Sequence, residues 1–465
     1  MVYVVINLYL GAIIRKPSGM KILSLLLAFI FIFSGGFSQQ KSLTIQPSAN
    51  GRYLQWSDGK PFFINACTAW SLTYAYSDQE VKDYLDNRVA NKFNTIQMSA
   101  VFAEIVKTMA DSAFLNHDIL MPVPKFWGRV DWVVKQATDR GLVVMINPIW
   151  KRSLNEIIQA AGPEKCRKYG QWFANRFKNN PRVIFFIGGD QVPEPVRNEL
   201  DEMGKGIQEV YGGKAIVAYH SEADQSSLEA YPNAPWITLN WTYAYSPAYR
   251  KNYPYSENYE NWTAFPKTPI QLAQGYYDFG DQKIFDQNGI TERWGNRSVI
   301  RRQAWWNILS GGIGNAWGAE GIWNKNSDGQ VWQTCTEYAS SKDMGILKLL
   351  TDKIKWWKLE PDIGHQLLAG GFGTYMTDDY AVCAVSQDGT LGVIYTPVKQ
   401  SLELSLPDFG VNCRLRWFDP ISARYSPIDM RFPKKKKKSV LITTPGLNHS
   451  GSEDWVLIIE KSRSK

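Results

Sequence analysis

The stretch VIFFIGGDQVP, residues 183 to 193, decides the fold of this chain. Five apolar residues, β-branched ones among them, run into Gly188, Gly189 and Asp190, and a helical pattern follows. Such a run is typical of a buried parallel strand whose carboxyl end presents a carboxylate beside two glycines. Because glycine has no Cβ, a ligand can approach the backbone there. The structural alternative is that Asp190 only caps the next helix.

Strands alternate with helical patterns from residue 61 to about residue 355. Eight such β/α units predict an α/β fold, the (β/α)8 TIM barrel, whose active site lies at the carboxyl ends of the strands. An open doubly wound sheet is the alternative, but the sequence lacks the Gly-rich phosphate loop that it would need. The predicted strands are 61–66, 95–101, 142–146, 183–187, 215–219, 236–240, 269–273 and 313–317.

The two ends of the chain have different sequence patterns from this middle part. Short strands without helical periodicity predict a small antiparallel β-sandwich over 359–465, so the barrel domain is expected over 39–358. Residues 20–38, MKILSLLLAFIFIFSGGFS, are typical of a secretory signal peptide, and their apolar run is short for a membrane span. We therefore expect Met20 to be the true start, residues 1–38 to form the leader region, and the mature protein to be secreted or periplasmic without a membrane span.

Charge and ligand-type residues exclude several function classes. Of the net charge of +8, three charges lie in the leader region and five in Lys434–Lys438, so the rest of the chain is neutral and nucleic-acid binding is not expected. The five cysteines are widely spaced and the four histidines form no HExxH pair, so neither a metal site, a disulfide framework nor another cofactor is predicted. Aromatic residues make up 14% of the chain. This weakly favours carbohydrate binding, since aromatic faces stack on sugar rings.

Carboxylates at strand ends of a barrel suit glycoside hydrolysis, in which one acid protonates the leaving oxygen and a second carboxylate attacks. Asp190, at the end of the fourth predicted strand, is the natural acid/base candidate. Its partner should follow another strand, and in many barrel glycosidases that strand is the seventh. The residues therefore predict a carbohydrate-active site before any relative is considered.

Several motifs in one order resemble glycoside hydrolase family 140, the apiosidase-like group. FFINACTAW (62–70) is similar to the family's F-x-x-G-D-T-A-W, IQMSAVFAE (96–104) to its I-Q-x-x-x-L-A-E, and FFIGGD (185–190) to its W-I-L-G-G-D. VAYH (217–220) and RQAWWNILSGGIGNAWG (302–318) also fit. The last domain resembles the family's small domain, which is named for collagen binding, in YTP (395–397), WFDP (417–420) and DWVLII (454–459).

The resemblance implies that Asp190 is the general acid/base. The family's nucleophile lies in a pattern like P-V-x-D-G-E-P-x-Y-E, which here reads PIQLAQGYYD (269–278), so the catalytic Glu falls on Gln274. Two further family carboxylates fall on Cys67 and Leu272, so three carboxylates are expected to be missing from one pocket.

Glutamine is a very poor nucleophile, and a retaining mechanism needs a covalent ester at that position. Three explanations stay open. The chain is a non-catalytic relative that binds glycan, or another carboxylate takes over, through water with inversion, or the alignment is shifted so that Asp278 is the real partner. The replacement carboxylates considered are Asp278, Asp281, Glu104 and Glu320.

The predicted function is a secreted glycoside hydrolase-like protein that acts on complex polysaccharide side chains, with catalysis in doubt at Gln274. A non-catalytic glycan-binding or matrix-binding protein is the alternative. Tryptophans near predicted strand ends, Trp150 among them, either stack on sugar or pack the barrel mouth, and His220 is either a core histidine or part of the site. The residues predicted to bind substrate are Cys67, Trp70, Glu104, His220, Trp241, Trp317 and Glu320.

Overall fold

The computed structural model describes residues 43–103, 108–244, 253–279, 296–406, 409, 413–428 and 439–461. The predicted leader with Met20, the candidates Glu104 and Asp281, and the lysine run lie outside these residues. All elements below belong to the compact unit Thr44–Lys465. It opens with an antiparallel pair, β1 (Ile45–Pro47) and β2 (Leu54–Trp56).

Eight parallel strands then form the predicted TIM barrel, with β10 lying beside its last strand. Around the wall they neighbour one another in the order β7, β6, β5, β4, β3, β11, β9, β8. The two outermost strands, β7 and β8, are joined where the Thr238 and Leu239 amides donate to the Val217 carbonyl oxygen at 2.9 and 3.1 Å. The strands are β3 (Ile64–Thr68), β4 (Thr95–Ser99), β5 (Val143–Asn147), β6 (Val183–Gly188), β7 (Val217–His220), β8 (Asn240–Tyr243), β9 (Ile270–Gln274), β10 (Tyr277–Asp278) and β11 (Gly312–Ala319).

Helices cover the outside of the wall, and three of those described begin at a capping side chain, Ser77, Ser226 or Asn296. The first starts at Ser77, whose hydroxyl accepts the Glu80 amide while the Glu80 carboxylate accepts the Ser77 amide at 2.8 Å, which satisfies two otherwise unpaired donors. No helix in the described ranges combines the length and apolar character needed to cross a membrane. The helices are α1 (Asp78–Ala90), α2 (Met109–Ala113), α3 (Pro124–Asp139), α4 (Lys151–Phe177), α5 (Arg197–Val210), α6 (Ser227–Ala230), α7 (Pro254–Ala264), α8 (Arg297–Leu309), α9 (Glu320–Trp323), α10 (Trp332–Thr336) and α11 (Ala339–Thr351).

The sixth barrel strand was misplaced by the sequence pattern. It runs over Asn240–Tyr243 instead of 236–240. Trp236, the apolar residue on which the prediction depended, packs on Gly204 of α5, and its Nε1 donates to Asp201 at 2.8 Å. Trp236 is therefore buried by its contact with a helix, and an apolar pattern alone does not distinguish such a residue from one in a buried strand.

Two antiparallel sheets form the C-terminal part, as predicted for a β-sandwich. They are tied to the barrel by Arg301 of α8, a buried side chain that pairs with Asp343 at 2.8 Å and with Asp454 at 2.7 Å. The domain boundary at residue 358 stays a prediction. One sheet has the order β12 (Leu359–Pro361), β14 (Val382–Ser386), β15 (Leu391–Thr396), β20 (Trp455–Lys461), β17 (Cys413–Phe418), β18 (Tyr425–Pro427), and the other β13 (Leu368–Gly370), β16 (Ser401–Leu404), β19 (Val440–Thr443).

Candidate active site

The segment after β6 carries Asp190 to the mouth of the barrel. Gly188 and Gly189 have φ angles of +97° and +141°, which L side chains rarely adopt, and a Cβ on Gly189 would lie 2.6 Å from the Trp150 ring. The glycines therefore let the chain turn in close contact with the aromatic wall. The helix-cap alternative for Asp190 is wrong, because the next helix begins only at Arg197.

Asp190 lies between a histidine and an arginine. Its side chain is 21% exposed, with one oxygen 3.7 Å from Nδ1 of His220 and the other 3.9 Å from Nη1 of Arg152. The first oxygen, Oδ1, is buried and has no hydrogen-bond partner among the described residues. The carboxylate thus reaches both the interior of the barrel mouth and solvent, as an acid that meets a bound ligand must.

His220 connects Asp190 to Gln274, the residue expected at the nucleophile position. Its Nε2 lies 2.9 Å from Oε1 of Gln274, and the Gln274 amide nitrogen donates to the Tyr243 hydroxyl at 3.0 Å. Because Oε1 can only accept, Nε2 carries the imidazole proton, and Nδ1 accepts from the Asp190 amide at 3.3 Å. The Ser221 carbonyl oxygen, 3.2 Å from Nδ1, is then a contact without a shared proton.

Aromatic rings surround this histidine. The rings of Trp70, Trp150 and Trp241 lie 5.8, 5.3 and 5.6 Å from that of His220, and all three tryptophans are buried. Nε1 of Trp70 donates to the Tyr277 hydroxyl at 2.8 Å. The structure therefore brings together Asp190, Gln274, His220, Trp70 and Trp241, which are five of the predicted site residues.

Comparison with known protein families assigns this barrel to a family. A family model described as the apiosidase-like catalytic domain matches residues 48–358. The chain belongs to the apiosidase-like family. This confirms the resemblance that the motifs carried.

Solved structures agree with the apiosidase-like fold. One described as a glycoside hydrolase has a TM-score of 0.76 at 20% identity and covers 91% of this chain and 98% of its own. A glycoside hydrolase family 5 protein from Bacteroides vulgatus has a TM-score of 0.74 at 20% identity, over 91% of this chain and 93% of its own. At such identity the likeness concerns the fold alone. No curated protein sequence matches the chain.

Cys67 and Trp317, two predicted substrate-binding residues, lie elsewhere in this apiosidase-like barrel. Cys67 accepts a hydrogen bond from the Tyr84 hydroxyl at 2.9 Å and lies 3.9 Å from Nη1 of Arg88, both on α1. Burial raises the pKa of the Cys67 thiol. The same guanidinium lies 5.3 Å from the Trp317 ring, and Trp317 donates to Ser340 at 2.7 Å. Both side chains therefore face the surrounding helices.

This placement corrects the expectation that three carboxylates are missing from one pocket. Cys67 lies within β3 and faces α1, whereas Trp70, two residues beyond the end of β3, belongs to the cluster around His220. Of the replaced family carboxylates, Gln274 is the one that the described contacts join to Asp190, through His220.

Asp278 and Glu320, the replacement carboxylates that the structure describes, each accept hydrogen bonds from nearby side chains. Asp278 on β10 accepts a short hydrogen bond from the Ser340 hydroxyl of α11, the same hydroxyl that accepts from Trp317. Glu320 follows β11 and accepts from Trp323 Nε1 at 2.8 Å and from the Ser327 hydroxyl at 2.6 Å. These contacts place Asp278 between the barrel wall and α11 and hold Glu320 at the start of α9.

Sequence reasoning missed Lys151, which holds the segment after Asp190. This buried side chain donates to Oε1 of Gln191 at 3.0 Å and to the Glu194 carbonyl oxygen at 2.8 Å. Burial lowers the pKa of the ammonium to about 8, and Glu194 opposes that shift. The available signal was its position in the short segment after the third predicted strand, although a lysine there normally indicates a solvated helix start.

No group of three or more His, Cys, Asp or Glu side chains in the described part of the chain is arranged to hold a metal ion. The described groups at the barrel mouth are one carboxylate, one imidazole, an amide and the surrounding rings. Together they can donate to and accept from a polyhydroxylated ligand, and Asp190 can hold or release a proton.

Proposed function

We propose that this protein is a glycoside hydrolase-like protein that binds the side chains of complex polysaccharides at its barrel mouth and has lost the retaining hydrolysis of its family. The observation that carries the proposal is the amide of Gln274. It accepts from His220 and donates to Tyr243, so both ends of a neutral amide are used. A carboxylate cannot donate in this way at neutral pH, and an amide cannot form the glycosyl ester of the retaining reaction.

The rest of the site supports ligand binding. Asp190 keeps a partly exposed carboxylate, and buried aromatic rings pack around His220 directly behind it. Sites for small polar ligands typically combine these two features. The motif at residues 20–38 supports the further proposal that the protein is exported and meets its glycan outside the cytoplasm.

Hydrolysis is the second candidate function, and the retained Asp190 favours it. An acid at this strand end could assist attack by water, with inversion, if a second carboxylate activated that water. Asp278 accepts from Ser340, and Glu320 accepts from Trp323 and Ser327, which disfavours both as that second group.

The test is binding and turnover measured on the same protein. Wild type is titrated calorimetrically with branched rhamnogalacturonan-type oligosaccharides and then incubated with them overnight for chromatography. We expect binding without products. Ready turnover would contradict the proposal, and turnover that persists in Asp190→Asn would also overturn the assignment of Asp190.

A gain-of-function variant tests the role of position 274 directly. In Gln274→Glu a carboxylate replaces the amide between His220 and Tyr243, both of which can donate to it. Because loss of one catalytic member costs several orders of magnitude, we expect hydrolysis to rise by at least about 100-fold over wild type. Adding Asp190→Asn to this variant should abolish the gain. No gain at all would mean that more than the nucleophile has diverged.

A further inference from the structure

A groove of about 360 Å³ lies where the barrel meets the β-sandwich. It is lined by the turn between β1 and β2, the end of α7, the segment that leads into β12, and the turn between β14 and β15. We call it the basal groove. A second depression of about 530 Å³ adjoins it, since Glu360, Gln387 and Asp388 line both. These volumes fall within the range of about 300–1,000 Å³ that ligand pockets occupy.

The basal groove lies at the opposite end of the barrel from Asp190. Gly51 approaches the loop before β9, where a Cβ on it would lie 2.4 Å from the Lys267 carbonyl oxygen. The Trp262 ring lies against Gly311, in the turn before β11. Turns that precede barrel strands lie at the amino-terminal face, whereas Asp190 follows β6 and lies at the carboxyl face. A ligand in the basal groove is therefore separate from one at the mouth.

Two aromatic side chains keep unused hydrogen-bonding groups in the basal groove. Nε1 of Trp357 and the hydroxyl of Tyr53 have no hydrogen-bond partner among the described residues, and both side chains are half-buried. Neither atom is sealed from solvent, so both are available to a ligand. The ring of Trp356 meets that of Trp357 at 6.2 Å and 87°, so at least one face of Trp357 carries no other described ring.

Arg52 is held in the basal groove as a fixed donor. Its guanidinium carbon lies 3.6 Å from the centre of the Trp262 ring, and its Nη1 donates to the Trp262 carbonyl oxygen at 3.1 Å. These two contacts orient the planar guanidinium before any ligand arrives. Little freedom is then lost when its remaining N–H groups donate to a ligand.

The charges around these groups cancel. Lys358 pairs with Asp388 at 2.5 Å. Glu360 accepts from the Gln387 amide at 2.6 Å and offsets the charge of Arg52. Two cations and two carboxylates leave no net charge, so a phosphate or a nucleic acid gains no net attraction. A neutral sugar fits these groups better, because its hydroxyls both donate and accept and its ring has an apolar face.

We propose that the basal groove is a second glycan-binding site, which retains neutral polysaccharide independently of the barrel mouth. Trp357 offers a ring face and an N–H group, and Tyr53 and Arg52 pair with sugar hydroxyls. The adjoining depression gives the polymer room to continue along the β-sandwich. The inference rests on the proposed function only for the class of ligand.

Trp357→Ala tests this site by electrophoresis of the native protein through gels that contain arabinogalactan or galactomannan, two neutral branched polysaccharides. Wild type should be retarded in at least one gel. The variant should raise the dissociation constant obtained from the retardation about 5- to 20-fold, because it removes a ring face together with an N–H donor. Its calorimetric affinity for the short oligosaccharides that probe the mouth should stay within about 2-fold of wild type, as expected of distant sites.

Trp132→Ala is the matched control. Trp132 on α3 is also half-buried, has Arg129 4.5 Å from its ring centre, and lines neither depression. Its loss should leave the retardation unchanged. If Trp357→Ala does not fold, hydroxyl-radical footprinting of wild type decides the matter. Bound polysaccharide should then protect Trp357 from oxidation and leave Trp132 as reactive as before.

The two proposals fail separately. Equal retardation of Trp357→Ala and wild type, or no retardation of wild type in either gel, would overturn the second site, while the calorimetric titration still judges the proposed function. Retardation that depends on Trp357, in a protein that binds no oligosaccharide at its mouth, would refute the proposed function and support the basal groove.

Discussion

Arg88 is a buried cation without a carboxylate within 4 Å in the described part of the chain. Its Nη1 donates to the Ser341 hydroxyl at 3.1 Å and its Nη2 to the Thr336 carbonyl oxygen at 2.6 Å. Cys67 lies 3.9 Å from Nη1, but its raised pKa keeps the thiol neutral. Cys67→Asp should therefore supply the missing counter-charge.

The size of the effect follows from this geometry. Two unit charges about 4 Å apart attract by about 4 kcal/mol at an effective dielectric constant of 20. Burying the new carboxylate offsets a large part of that, although the Tyr84 hydroxyl, 2.9 Å from Sγ, can donate to it. We expect Cys67→Asp to be about 1–2 kcal/mol more stable than wild type at pH 7. The gain should be lost as the pH falls below the ordinary aspartate pKa of about 3.9, since protonation removes the charge.

Urea unfolding followed by tryptophan fluorescence measures this difference. Cys67→Asn is the neutral control of similar shape. Cys166→Asp is the matched burial control, because Cys166 is also buried and, among the described residues, its thiol donates to the Ile158 carbonyl oxygen and has no cation beside it. It should lose several kcal/mol, as an unpaired buried charge does. If Cys67→Asp is no more stable than Cys67→Asn, the reasoning about Arg88 is refuted, and changed glycan affinity in Cys67→Asp would refute the outward placement of Cys67.

Two further predictions concern groups around the mouth. Burial raises the pKa of Glu257 well above its ordinary value, so the stability contributed by its protonated form is complete below about pH 4.5 and is lost as the pH rises through the folded-state pKa. Glu257→Gln keeps an acceptor for the Tyr243 amide, so its unfolding midpoint should decline less from about pH 5 to 9 than that of wild type. Parallel plots of midpoint against pH for the two proteins would contradict this. Gly189→Ala should cost about 2–4 kcal/mol, because its Cβ would meet the Trp150 ring and φ is +141°; a thermal melt within 1 °C of wild type would show that the loop relaxes freely.

The sequence by itself determined the barrel and the position of the candidate acid, Asp190. Hydrophobic periodicity and helix caps are local properties, so they located seven of the eight barrel strands closely. The Gly-Gly-Asp run located Asp190 for the same reason, since only a tight strand end next to packed rings needs two glycines. Gln274 at the end of the seventh strand was likewise readable, because motif order fixes strand number.

Only the tertiary structure decided which side chains meet. Cys67 and Trp70 are three residues apart, yet Cys67 on β3 faces α1 while Trp70, in the turn after β3, reaches the barrel mouth, and the path of that turn is set by packing between elements. The link from Asp190 through His220 to Gln274 joins three strand ends that are distant in sequence, and barrel closure alone brings them together. The basal groove has the same origin, because separate segments of the chain line it and only their packing creates it, which leaves no periodic trace in the sequence.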